Sequence, residues 1–289
     1  MIALRQFHLL LCLFCALPAL AVADDQPFID DHKILTGFSN FLTVALEDGS
    51  AASAKTLRAQ LGRKKAVISL PDHKKPANFS YTEAIDSVAV LASIYKCPNC
   101  SRLHNSTATT WALTSDGVMA SNYHVFEDTS RKAFGIITRK GEFFAVSEIL
   151  AANKEGDVVL FRVKATTFPL PPLSLAQKDA PVSTSINVIS HPDGRFFSYS
   201  SGKISRYYKK KSAKTSSVWM SITADYAKGS SGAPVMDDSG TVTGMVANTQ
   251  TIYYKSKSSK KPEIKSNNPV QMVIKNCVPA HTLRALISN

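Results

Sequence analysis

Gly229-Ser230-Ser231-Gly232-Ala233-Pro234-Val235 sets a serine between two glycines, ahead of an apolar run. A serine hydroxyl on such a tight turn stands open to a bound acyl group. The backbone N–H groups of Gly229 and Ser231 then converge on the point where an oxyanion forms. Small neighbours let a substrate backbone come close. The same composition also suits a plain Gly/Ser surface turn before a strand. A histidine and an acid upstream, in the right order, separate the two readings.

Both are present. Ala120-Ser121-Asn122-Tyr123-His124-Val125-Phe126 follows an apolar stretch and the turn Thr114-Ser115-Asp116-Gly117. Glu155-Gly156-Asp157 then leads into the apolar run 158–163. The order is His124, Asp157, Ser231, at intervals of 33 and 74 residues. Unrelated folds arrange these three residue types in different chain orders, so the order carries information.

In this order the three motifs resemble those of bacterial trypsin-like proteases of the chymotrypsin fold, including the periplasmic high-temperature-requirement group. The resemblance spans about residues 86–285. It implies a serine endopeptidase acting on protein or peptide substrates through an acyl-enzyme. Ser231 is the expected nucleophile, His124 the general base and Asp157 the group that orients the imidazole. Gly229 and Ser231 N–H groups form the expected oxyanion hole, and no metal or organic cofactor is required. The strand at Ala247, Asn248 and Thr249 is expected to pair with extended substrate backbone. Asp225, six residues before Ser231, sits at the offset where trypsin-type enzymes carry the acid that selects Lys or Arg. Ser230 stands where digestive members carry an Asp that pairs with a freed N-terminus, so that zymogen switch is not expected. His191, in His191-Pro192-Asp193-Gly194, reads as structural.

Two residues depart from the family pattern. Thr110 replaces a glycine before the aromatic Trp111, where it threatens to crowd the strand before His124, and Ala233 replaces another glycine. They leave open a second reading, a catalytically silent protease fold used as a binding or scaffold module of the cell envelope.

From residue 88 onward, short runs rich in Val, Ile, Phe, Tyr and Thr recur between Gly, Pro, Asp and Ser turns, without βαβ alternation. The runs are 88–95, 109–113, 135–138, 143–150, 158–163, 185–190, 218–223 and 241–246. The expected fold is all-β: two six-stranded antiparallel β-barrels of the chymotrypsin type. His124 and Asp157 belong to the first barrel and Ser231 to the second, with Pro169-Leu170-Pro171-Pro172 between them. A C-terminal helix is expected over 279–287. With 58 residues after Ser231 in this sequence, an appended PDZ domain is not expected. Residues 24–85 read as an N-terminal extension that packs on the barrel or crosses the cleft. Within it a helix is expected at 51–61, stopped by Gly62, and another from an N-cap at Thr82.

Residues 1–23 have the form of a signal peptide: Arg5, an apolar core, and Ala21-Val22-Ala23 as cleavage site. An uncleaved anchor is the alternative. Either way the protease domain, 86–289, is expected to be exported, to the periplasm or beyond. The formal net charge of +12 concentrates at Lys203, Arg206, Lys209, Lys210, Lys211 and Lys214, and at Lys255, Lys257, Lys260, Lys261 and Lys265. These read as solvated lysine-rich loops or as a patch drawn to an anionic surface. No nucleic-acid partner is expected, and the sequence is silent on oligomeric state. Cys97 and Cys100 suit a short-loop disulfide in an exported protein. A zinc site from Cys97, Cys100, His104, Cys277 and His281 suits their types and spacing too, and free thiols remain a third option.

Overall fold

The computed structural model describes residues 28–71, 78–97, 99–100, 102–165, 167–211, 216–254 and 269–288. The signal-type leader, Lys214 and the lysines between 255 and 265 lie outside the described residues.

The described residues open with three helices, α1 (Asp31–Ile34), α2 (Phe38–Glu47) and α3 (Ala54–Gln60), then a short strand β1 (Ala66–Val67) and helix α4 (Tyr81–Ala84). The first barrel follows as β2 (Val88–Lys96), β3 (Leu103–Ala112), β4 (Val118–Ser121), helix α5 (Tyr123–Glu127), β5 (Arg131–Ile137), β6 (Phe143–Asn153) and β7 (Val158–Val163). The second is β8 (Ser185–Ser190), β9 (Ser198–Lys211), β10 (Ser216–Ile222), β11 (Pro234–Asp237), β12 (Val242–Tyr253) and β13 (Val270–Pro279). Helix α6 (Ala280–Arg284) and strand β14 (Ile287–Ser288) end the chain.

Both sheets close into six-stranded barrels. The first closes in the order β2-β3-β4-β7-β6-β5 and the second as β10-β13-β12-β11-β8-β9, so the expected architecture is the observed one. Closure leaves no long free edge and turns alternate side chains inward. Phe126, Phe134 and Phe161 fill the first interior, and Val188, Met220, Val235 and Cys277 the second. The 164–184 segment joins the barrels. It is anchored to both, through Leu173 N–H to Ala112 O and Ala176 N–H to Val242 O, each 2.9 Å.

The N-terminal residues pack on the barrels, and none of the described ones among 28–85 lines the cleft. Helix α2 buries Phe38, Leu42 and Ala45, an i, i+4, i+7 stripe that the sequence reading passed over. Phe38 meets Phe143 of β6 edge to face at 5.5 Å. Burial of Phe38 and Leu42 contributes roughly 1.5–3 kcal/mol each. Helix α3 buries Ala54 and Leu57, and its N-cap is Ser53, which accepts from Thr56 N–H. The α4 N-cap is Ser80 rather than Thr82, because Ser80 Oγ reaches Glu83 N–H. Asp31 accepts from Phe196 N–H, and Tyr81 donates to Phe197 O, so the segment ties to the second barrel as well. The C-terminal helix is shorter than expected. It ends at Arg284 so that Ile287–Ser288 can pair in parallel with Ala66–Val67.

Three further expectations change. The first basic cluster lies on strand β9, not in a loop: Lys203, Arg206, Lys209 and Lys210 are exposed there. Lys210 Nζ sits 4.3 Å from the Trp219 ring centroid, where the ring face attracts a cation. Cys97 and Cys100 form no disulfide, for both are free thiols and Cys100 Sγ faces His104 Nε2 at 3.1 Å. Nor do the five proposed zinc donors assemble. Cys277 is buried inside the second barrel beside Tyr226, where burial pushes its thiol up to about 12. His281 Nδ1 is taken by Asp179 at 2.6 Å.

Candidate active site

Asn122 follows β4 in extended backbone as the N-cap of α5, so His124 lies in a first helical turn, lining a cavity that Lys210 and Trp219 of the second barrel also line. Asp157 closes the Lys154–Asp157 turn in a left-handed conformation, φ 55°, which Asp tolerates better than most residues. Buried Asn122 donates to Asp157 O at 2.9 Å and fixes that turn. The carboxylate then grips His124 twice. Oδ1 accepts the His124 backbone N–H at 3.0 Å, and Oδ2 accepts Nδ1–H at 2.9 Å. An acceptor-only carboxylate on Nδ1 leaves Nε2 as the basic nitrogen. Burial disfavours the imidazolium, but the hydrogen bond and charge of Asp157 outweigh it, so the His124 pKa is raised.

Ser231 comes from the second barrel, on a turn that packs against Thr109 of β3 and Ser121 of β4. Gly229 and Gly232 hold its turn with φ of 97° and 90°, values natural to glycine alone. Space forbids any other residue as well. A Cβ on Gly229 would collide with His191 O, and one on Gly232 with Thr109 O. Thr109 of β3 clamps the turn. Its Oγ1 donates to Gly229 O at 3.0 Å, and its N–H donates to Ser231 O at 2.7 Å. Among the described residues no backbone acceptor takes the N–H of Gly229 or Ser231. Ser231 Oγ donates to Ala247 O at 3.1 Å.

Thr110 does not crowd its strand: fully buried, it donates to Ala120 O at 2.8 Å. Ser230 is buried and donates to Ser190 Oγ at 3.0 Å. Ala247–Thr249 lie on a stretch of β12 beyond Met245, the last residue that β11 covers. Asp225 is not in a pocket. Its side chain is 93 % exposed and pairs with Lys275 at 3.3 Å. The next residue, Tyr226, takes the inward position instead, with its hydroxyl 3.0 Å from Asn248 O and 2.8 Å from Asn276 O. Sequence offset alone carried the Asp225 expectation, and side-chain direction reverses it.

A cavity of about 480 Å³ flanks the His124–Asp157 pair. Tyr123, Glu127 and Lys154 form one wall, and Lys210, Trp219 and Asn248 the other. Lys210 and Trp219 had not been singled out as cleft residues. The β9–β10 hairpin that carries them across to His124 leaves no local sequence signal.

Residues 108–245 match a family model described as the trypsin-like peptidase domain, and this span contains His124, Asp157 and Ser231. The fold is similar to that of the Rv3671c protease from M. tuberculosis in its active form. The two are 16% identical over 76% of this chain and 92% of that one, with a TM-score of 0.52. It is also similar to the HtrA-type protease AlgW with a decapeptide, at 16% identity over 71% of this chain and 64% of that one, TM-score 0.52. No curated protein matches the sequence. The 108–245 span therefore resembles the trypsin-like peptidase domain, and that likeness supports a serine peptidase.

Proposed function

We propose that the protein is an exported serine endopeptidase that cleaves peptide bonds through Ser231, His124 and Asp157. The observation that carries this reading is the two-point grip of Asp157 on His124 beside a serine turn with uncommitted N–H donors. In the reaction Ser231 Oγ gives up its bond to Ala247 O and passes its proton to His124 Nε2 as it attacks the scissile carbonyl. Asp157 keeps the imidazole in the right tautomer and stabilises its cation. Gly229 and Ser231 N–H groups take the oxyanion. His124 then protonates the leaving amine, and water repeats the sequence on the acyl-enzyme. Substrate backbone extends β12 at Ala247–Thr249. The leader at 1–23 supports export.

The bond from Ser231 to Ala247 favours a second reading, a silent protease fold that binds without cutting. A fluorophosphonate probe separates the two. Stoichiometric labelling of the wild type that disappears in Ser231→Ala supports the peptidase. A folded protein that is never labelled supports the binding module.

A further inference from the structure

The β2–β3 hairpin ends in a cluster that the peptidase chemistry does not use. Cys97 follows the last residue of β2, Cys100 lies in the connecting turn, and His104 is the second residue of β3. Their donor atoms, two Sγ and one imidazole nitrogen, all lie within 4.8 Å of one another. We propose that Cys97, Cys100 and His104 bind one Zn²⁺ ion, with a solvent water as fourth ligand.

The geometry is close to what the ion demands. With Zn–S near 2.3 Å and Zn–N near 2.0–2.1 Å, a tetrahedral site spaces its sulfurs by about 3.8 Å and sulfur from nitrogen by about 3.6 Å. Cys100 Sγ and His104 Nε2 stand 3.1 Å apart, so the ring must retreat by roughly half an ångström to admit the metal. The hairpin supplies a scaffold that stays put during that shift. Lys96 pairs with Leu103 and Tyr95 with His104 in register, and the Tyr95 ring lies against the imidazole at 5.8 Å. Arg131 in turn sits over Tyr95. Three donors of this kind from one hairpin form a chelate with little entropy left to lose. Two thiolates and an imidazole suit Zn²⁺ and exclude Mg²⁺ or Ca²⁺, which take oxygen ligands. Cys100 and His104 are exposed, which leaves the fourth position to water. On binding, each thiol releases its proton to solvent as its sulfur coordinates.

The test uses the purified protein in a phosphine reductant, with all three mature thiols counted before metal is added. Titration with Co²⁺, then displacement by Zn²⁺ against a chromophoric chelator, reads stoichiometry and affinity. The expected result is one equivalent per chain, with thiolate-to-cobalt charge transfer, bound in the micromolar range or tighter. Binding is lost in the Cys97→Ser, Cys100→Ser double variant and weakened at least ~10-fold in His104→Ala. It is unchanged in Cys277→Ala, which tests the buried thiol. Circular dichroism confirms that each variant is folded. Three outcomes overturn the proposal: no metal bound by the fully reduced protein, binding that survives the double variant, or exported protein isolated without zinc and with Cys97 joined to Cys100.

Discussion

Ser231 Oγ donates to the carbonyl of Ala247, and no hydrogen bond joins it to His124 among the described residues. The base is nonetheless held ready by Asp157, whose carboxylate spans the backbone N–H and Nδ1 of His124. On the proposed mechanism the reactivity of Ser231 depends on a neutral His124, and pH reports it. Asp157 raises the His124 pKa above that of a free imidazole, so kcat/KM is expected to fall as pH drops through this raised pKa. In Asp157→Asn, burial, which favours the neutral ring, is opposed only by the more distant charge of Glu127. The acid limb is then expected to move to lower pH while kcat falls about 10⁴-fold. A pH–rate profile of both proteins checks this, and an unmoved limb in the variant contradicts it.

Thr109 holds the nucleophile turn from the opposite barrel, by its side chain to Gly229 O and its N–H to Ser231 O. Thr109→Val keeps the shape and the N–H but strands the buried carbonyl of Gly229. The expected loss is roughly 1–3 kcal/mol of stability. A fall of about 10–100-fold in kcat should accompany it, with KM little changed, because the oxyanion donors lose their register. Steady-state kinetics beside urea unfolding read the two effects separately.

Asp225 faces solvent and Lys275, so it is not expected to select a basic residue at P1. Asp225→Ala should leave the ratio of kcat/KM between Lys and Ala P1 substrates within about two-fold, far below the tenfold that 1.4 kcal/mol represents. A tenfold fall in that ratio would restore Asp225 to the specificity pocket.

His191 is fully buried, and its Nδ1 accepts from Phe197 N–H at 2.9 Å. Burial lowers its pKa to about 4. An unfolded chain, with a histidine near 6.5, then binds more protons than the folded one between those values. Stability is complete above pH 6.5 and falls as pH drops towards 4, by up to roughly 3 kcal/mol. His191→Asn retains an acceptor for Phe197 and cannot titrate. Its urea midpoint should vary less with pH in this window than that of the wild type.

Much of the barrel was legible because its determinants are local. Runs of β-branched and aromatic residues between turn residues mark strands by period and composition, and 158–163 and 185–190 coincide with β7 and β8. Helix α2 carries a helical stripe at Phe38, Leu42 and Ala45, but it starts from an N-cap at Gly37 with no side-chain cap to mark its beginning. The cap of α4 lies at Ser80, two positions before the expected Thr82, because neighbouring Ser and Thr residues compete for that place.

By itself the sequence determined a β-rich domain from residue 88 onward, the sharp turn around Ser231 and the order of the three polar residues, while the two six-stranded barrels were what the resemblance implied. Backbone preference and hydrophobic period act over a few residues, so they can be read in a line. Only the tertiary structure decided that Ser231 bonds to Ala247, that Asp225 turns out while Tyr226 turns in, and that Cys97 and Cys100 meet His104 but not Cys277. Those outcomes depend on which side chain wins a shared space between segments far apart in the chain, and that competition exists only once the barrels have closed.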